Sequence, residues 1–255
     1  MIRNFRDRLK ALIRDLGWGD GMLRVAARFL SSISDGKIEL RKYYFVSQPV
    51  SAEPLLPANR GLSIVVKQTD RQHPLVRRFP RPPQVIAARF INGARCFLAT
   101  KDDKFVGFLW LQQGSYLEDE VRCRFTPVPE QRAVWDFDVH VEPDHRSGLA
   151  FARLWDTANR FLREASIEWS VSRISAFNPE SINSHSRLGA FPIGSACFIN
   201  GRRWQILLSG MSPYFHLSMD EKNVPEILLK ADPSHRKSYS RFLSKTSSGA
   251  IGQKA

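Results

Sequence analysis

Residues 134–141 read VWDFDVHV, and residues 142–150 continue EPDHRSGLA. Trp135, Phe137, Val139 and Val141 are apolar, with Asp136, Asp138 and His140 between them. This period-two alternation predicts a strand with one dry face and one wet face. The turn from Glu142 to Gly148 is short. Beyond it, apolar residues recur at 151, 154, 155, 158, 161, 162 and 165, which predicts a helix over 149–165 packed on a sheet. A strand that empties into a helix start leaves backbone N–H groups unpaired, and such a site favours anions. A titratable strand beside an anion cradle suggests group transfer from a phosphorylated cofactor.

A second strand is predicted over 170–177. Asn178, Pro179 and Glu180 then suit an N-cap, a first helical position and the positive end of a helix dipole. The helix runs over 182–188 and stops at Gly189, a left-handed C-cap. Two strands therefore each empty into a helix start. In an open α/β sheet, ligands bind in such a crevice.

Upstream, Phe5, Leu9, Leu12, Ile13 and Leu16 share a helical face among Arg3, Arg6, Arg8, Lys10 and Arg14. Gly17, Gly19 and Gly21 break that helix, and 22–33 forms a second one. A basic amphipathic helix can lie on an anionic membrane, but docking onto the protein's own core or a partner is the commoner use. Strands follow at 38–47 and 62–66, and the proline- and arginine-rich stretch 74–83 reads as an irregular surface loop. A helix over 84–91 stops at Asn92-Gly93. Residues 94–100 and 105–112 form a hairpin around a four-residue polar turn, which 121–125 extends. Near the end, 193–199 and 203–208 flank Asn200-Gly201, a strong hairpin signal. Prolines interrupt the pattern after 210, and the Ser/Gly/Lys-rich residues 245–255 are expected to be disordered. The organisation is a helical extension (1–37), a central domain (38–210) and a partly disordered C-terminal extension (211–255).

The 255 residues, 43% of them hydrophobic, suffice for one sizeable core. A net charge of +13 favours anionic partners without choosing among them. No Lys/Arg block is dense enough for a nucleic-acid tail, and no nucleic-acid partner is expected. Cys96, Cys123 and Cys197 are far apart, which suits a reducing compartment, and the six histidines show no metal-ligand spacing. The start lacks the apolar region of a signal peptide, so a cytoplasmic location is expected and no metal is predicted.

The central block resembles the GNAT superfamily of acyl-CoA-dependent N-acyltransferases. That family carries Q/R-x-x-G-x-G/A after a strand ending near V-x-P. Here the strand ends Val141-Glu-Pro143, and His145-Arg-Ser-Gly148-Leu-Ala150 follows. The family's next motif has Asn at a strand end, a small residue three later, and Tyr-x-x-Leu-Gly-Phe. Here it reads Asn178, Ser181, His185-Ser-Arg-Leu188-Gly189-Ala190. The resemblance covers about residues 60–208. His145 replaces Gln or Arg, His185 replaces Tyr, Ala190 replaces the aromatic, and the loop is one residue short.

The resemblance implies an α/β (α+β) fold with a mixed, mostly antiparallel central sheet of roughly six or seven strands flanked by helices, plus an extra helical N-terminal region. It implies transfer of an acetyl or other short acyl group from acyl-CoA to a primary amine. The backbone of Val139, His140 and Val141 would pair with the pantetheine arm. His145, Arg146, Ser147, Gly148, Leu149 and Ala150 would hold the pyrophosphate. Asn178 and Ser181 are second cofactor contacts, Asn178 being a helix cap first. Asp136, Asp138 or Glu142 could be the base, and a sheet bulge common in this strand of the family prevents parity from deciding which. His185 could protonate the departing thiolate, its intrinsic pKa near 6.5 suiting the task. Against these roles stand plainer ones: Asp136 and Asp138 as a solvated sheet face, and His185 as a surface helix residue. Arg173 and Arg187 are weaker candidates for the CoA phosphates. The rival functions are an inactive acyl-CoA-binding or regulatory module of the same fold and, ranked last, a basic nucleic-acid binder.

Overall fold

The period-two run folds as a strand and the stripe after it as a helix. The computed structural model describes residues 2–146, 149–220 and 222–231, with backbone alone for 2–12 and 14. Among them are four α-helices: α1 (Ile2–Ile33), α2 (Pro83–Ile91), α3 (Ala150–Glu164) and α4 (Pro179–Arg187). The strands are β1 (Glu39–Pro49), β2 (Val65–Thr69), β3 (Arg95–Lys101), β4 (Lys104–Gln113), β5 (Tyr116–Leu117), β6 (Arg124–Val128), β7 (Ala133–Val141), β8 (Trp169–Ser175), β9 (Phe191–Asn200), β10 (Gln205–Ser209), β11 (Phe215–Ser218) and β12 (Glu226–Lys230). The chain folds into two compact units, one of residues 49–116 and 127–172, the other of the described residues up to Gln48, 117–126 and those from Arg173 on.

In the first unit the strand order is β8-β7-β4-β3-β2. β7 and β8 are parallel, from Ala133 opposite Trp169 to Asp136 opposite Ser172, and the other pairs are antiparallel. A parallel pair needs a crossover, and α3 supplies it. Its predicted stripe is the face it buries, through Leu154, Trp155, Ala158 and Leu162. Phe161 of α3 packs on Phe97 of β3, with ring centroids 5.5 Å apart. The alternate residues of β3 and β4, Cys96, Leu98, Phe108 and Trp110, join Phe79 and Ile86 in the core on the α2 side. Each such large side chain contributes about 1.5–3 kcal/mol. Two expectations shift here. The second strand begins at Val65, later than predicted, and the loop at 74–83 is not wholly irregular. Pro74–Arg78 is a 3-10 turn whose start is capped by His73 Nδ1, accepting from Leu75 N–H at 3.3 Å.

The second unit orders its strands β11-β10-β9-β1, all antiparallel. The end of β8 lies beside β1, where Ala176 N–H donates to the Lys42 carbonyl at 2.9 Å. The sheet is mixed, mostly antiparallel and flanked by helices, as the sequence predicts. Its strands outnumber the six or seven expected partly because Phe215–Ser218 adds as β11. A smaller sheet, β12-β6-β5, takes up the stretch near 121–125 that the sequence assigns to the hairpin of β3 and β4. Ile227 and Leu229 of β12 are fully buried, so its alternation was present but masked by the neighbouring Pro225. Gly17 kinks α1 with φ 78° and ψ 165°, at the predicted break. Residues 245–255, expected to be disordered, lie outside the described residues.

Candidate active site

The register of β7 decides what its two carboxylates can do. Leu111 of β4 faces Asp136, but the next residue back, Trp110, faces Asp138. Residues opposite each other share a face, and neighbours along a strand alternate. The bulge at Phe137 therefore sends Asp136 and Asp138 to opposite faces, where simple alternation would put them on one.

Asp138 is on the α2 side and is not a solvated residue. Arg81 donates to it through Nε (2.8 Å) and Nη2 (2.6 Å), and Arg89 through Nη1 (2.7 Å). Arg89 also lies over the rings of Trp110 (5.5 Å) and Phe137 (4.9 Å). Phe137 in turn stacks on Tyr116 at 4.4 Å. Two guanidinia thus share one buried carboxylate, a fixed arrangement rather than a free base. Asp136 is 2% exposed on the other face. Burial, and next the charge of Asp138, raise its pKa well above the carboxylate range, against a hydrogen bond with Ser172. Both causes favour its protonated form. Neither aspartate lies on a wet sheet face.

The end of β7 is different. Val139, His140 and Val141 are half-buried. His140 Nε2 is 3.1 Å from Glu142 Oε1, and its ring lies parallel to Phe105 with centroids 6.1 Å apart. The Glu142 N–H donates to the Val106 carbonyl (2.8 Å) and so continues the pairing with β4. Opposite Val141 stands Gly107, where an added Cβ would collide with the His140 carbonyl and reach within 3.2 Å of Val141 Cα. Only glycine fits this close approach.

The chain then makes a 3-10 turn, Pro143–His145, with His145 N–H donating to Glu142 (2.9 Å) and Arg146 N–H to Pro143 (3.3 Å). Arg146 Nε folds back onto the Val141 carbonyl at 3.0 Å. The amide of Arg146 is thereby engaged within its own turn, unlike the expected phosphate contact. Ser147 and Gly148 lie outside the described residues. At the start of α3, Leu149 makes no side-chain cap hydrogen bond and the first turn has no acidic residue. The first-turn amides of Ala150 onward and the helix dipole present positive potential there.

The other predicted residues belong to the second unit. Asn178 Oδ1 accepts from Ser181 N–H at 3.1 Å, so both act in capping α4. His185 is buried, not a surface residue, and its Nδ1 lies 3.3 Å from Gln48 Oε1. Burial pushes its pKa down to about 4, which removes the near-neutral acid expected from its intrinsic value. Arg173 is bidentate on Glu118 (2.6 and 2.8 Å) and lies 4.5 Å from the Tyr43 ring centroid. Arg187 is exposed. Sequence reasoning missed Arg81, Arg89, Gln48 and Gly107. Arg89 had a signal, since it stands three residues after Ile86 on the buried face of α2, where an arginine calls for a buried acid.

No family model matches the chain, and no curated protein matches it. Among solved structures, it is similar to a functionally unknown conserved protein from Staphylococcus epidermidis (TM-score 0.46, 11% identity, covering 67% of this chain and 65% of that one). It is also similar to a tandem GNAT protein from the clavulanic acid biosynthesis pathway (TM-score 0.42, 14% identity, 64% and 55% covered). A third is an aminoglycoside acetyltransferase from an uncultured soil metagenomic sample (TM-score 0.36, 14% identity, 50% and 88% covered). The chain spans about two thirds of the first and just over half of the second. These likenesses concern the course of the chain, not its chemistry.

Proposed function

We propose that this protein is an acyltransferase that moves an acetyl or other short acyl group from acyl-CoA to a primary amine, both reactants being bound together. One observation carries the reading: beyond the half-buried end of β7, among the described residues, α3 starts at an N-cap, Leu149, that makes no side-chain cap hydrogen bond, and its first turn holds no acidic residue. Such a helix start suits a diphosphate. The backbone of Val139–Val141 would accept the pantetheine arm as an added strand, and a strand N–H would stabilise the oxyanion as the amine attacks the thioester carbonyl.

The amine nitrogen bonds to the acyl carbon, the C–S bond breaks, and the thiolate leaves. The attacking nitrogen must lose a proton. Asp136 is buried away from the end of β7 and Asp138 is held by two guanidinia, so neither is placed to accept it. His140, oriented by Glu142, is the better one, because its stacking on Phe105 and its bond to Glu142 fix the ring. His185, low in pKa and buried, is not used as the acid.

The same observations on Asp136 and Asp138 also favour a second reading, an acyl-CoA-binding module without turnover. Calorimetry with acetyl-CoA, paired with a free-thiol assay over a panel of amines, tests both. Binding with amine-dependent thiol release supports the transferase. Binding without release selects the module. Absence of binding to acetyl-CoA and to longer acyl-CoAs refutes both.

A further inference from the structure

The part of α1 beyond its kink is held to β1 and packs through the buried Gly21 against Ile13 of the part before the kink. Asp20 accepts from Lys42 Nζ (2.6 Å) and from the Tyr44 hydroxyl (2.5 Å) of β1, and Arg24 lies 4.9 Å from the Phe177 ring centroid. On another side, Trp18 is 68% exposed, Met22 43%, Phe29 63% and Ile33 63%. At 3.6 residues per turn, positions 18, 22, 26, 29 and 33 fall within an arc of about 80°. Ala26 completes the stripe. Among the described residues, the protein's own core, the commoner partner for such a helix, leaves these four large side chains exposed.

Charge selects what does. The exposed Arg28 stands near the stripe, and the sequence of α1 holds seven basic residues against three acidic ones in a chain of net charge +13. A second copy would bring this basic helix against itself, a like-charge juxtaposition that disfavours pairing. An acidic lipid surface offers both missing features, an apolar layer for Trp18, Met22, Phe29 and Ile33 and a negative plane to attract Arg28 and a chain of net positive charge. Among the described residues no helix is long and apolar enough to cross a membrane, so the helix would lie in the plane of the interface.

We infer that the α1 segment from Trp18 to Ile33 is an interfacial anchor that seats the protein on bilayers containing acidic phospholipid. The inference is independent of the proposed acyl transfer.

The test is co-sedimentation of the full chain with vesicles of phosphatidylcholine alone or mixed with phosphatidylglycerol. Binding is expected only to the acidic vesicles and is expected to weaken several-fold as salt rises from about 0.1 to 0.5 M. The double variant W18S/F29S, altered only at exposed positions, is expected to partition at least about 100-fold less. Quenching of the protein's tryptophan fluorescence by brominated lipid gives a readout free of any folding defect. It is expected in the unaltered chain and reduced in W18F, which keeps the apolar face. Equal binding to neutral vesicles, unchanged partition of W18S/F29S, or quenching unaffected in W18F would each overturn the anchor. A micromolar dimer in light scattering that W18S/F29S abolishes would assign the stripe to a second copy instead.

Discussion

Replacing Asp138 by Asn separates a fixed charge from a catalytic base. The side chain of Arg89 is 8% exposed, and its Nη1 meets Asp138 at 2.7 Å. Asn keeps the shape and removes the charge, so the Arg89 guanidinium stays buried without its counter-charge. Breaking a buried pair in this way costs about 3–5 kcal/mol. Arg81, one third exposed, can turn its charge to water, so R81A should cost only about 0.5–1 kcal/mol. D138N should therefore be destabilised by at least 3 kcal/mol in urea unfolding, with unchanged m. The double variant D138N/R89M should recover much of that loss, because a neutral, well-packed pair replaces the broken one. A base would behave differently, with D138N folding normally and losing amine-dependent thiol release. A D138N cost below about 1 kcal/mol, with turnover abolished, would refute the reasoning.

Three other substitutions test neighbouring steps. His185 has a folded pKa near 4, below the unfolded value near 6.5, so its contribution is intact above pH 6.5 and fades as pH falls towards 4. H185Q should flatten the fall in stability over that window, by about 3 kcal/mol at most; an unchanged pH profile would contradict it. Asp136 has the opposite sign. Its folded pKa is raised, so its contribution is present at low pH and is lost as pH climbs through the folded value, and D136N should be more stable than the parent at neutral pH in thermal melts. G107A should lose acetyl-CoA affinity along with about 2 kcal/mol of stability, because the strand must move away from the His140 carbonyl; full affinity in calorimetry would show that the end of β7 does not bind the cofactor.

The fold was legible where one signal ruled one element. The alternation of 134–141 and the helical stripe beyond it gave β7 and α3, and the Asn200-Gly201 turn gave the hairpin of β9 and β10. Asn178 and Pro179 gave the start of α4. Strands were hidden where prolines flank them. Pro213 and Pro225 precede β11 and β12, and a proline next to a strand looks like an interruption although it leaves the following ladder intact.

The site was less legible because its properties come from pairings far apart in the chain. Asp136 and Asp138 are identical in sequence terms, two polar positions of one alternation. A single extra residue at Phe137 puts them on opposite faces, and only the register with Trp110 and Leu111 reveals it. From there the environments diverge. Asp138 meets two guanidinia from a loop and a helix more than forty residues away, while Asp136 meets Ser172 and little else polar. One is thereby an ion-paired charge and the other a buried carboxyl whose protonated form is favoured, so for the proposed transfer the proton acceptor has to be sought at the strand's end. There the sequence does speak: His140 and Glu142 are two apart, and the glycine opposite Val141 is the mark of backbones packed too closely for any side chain.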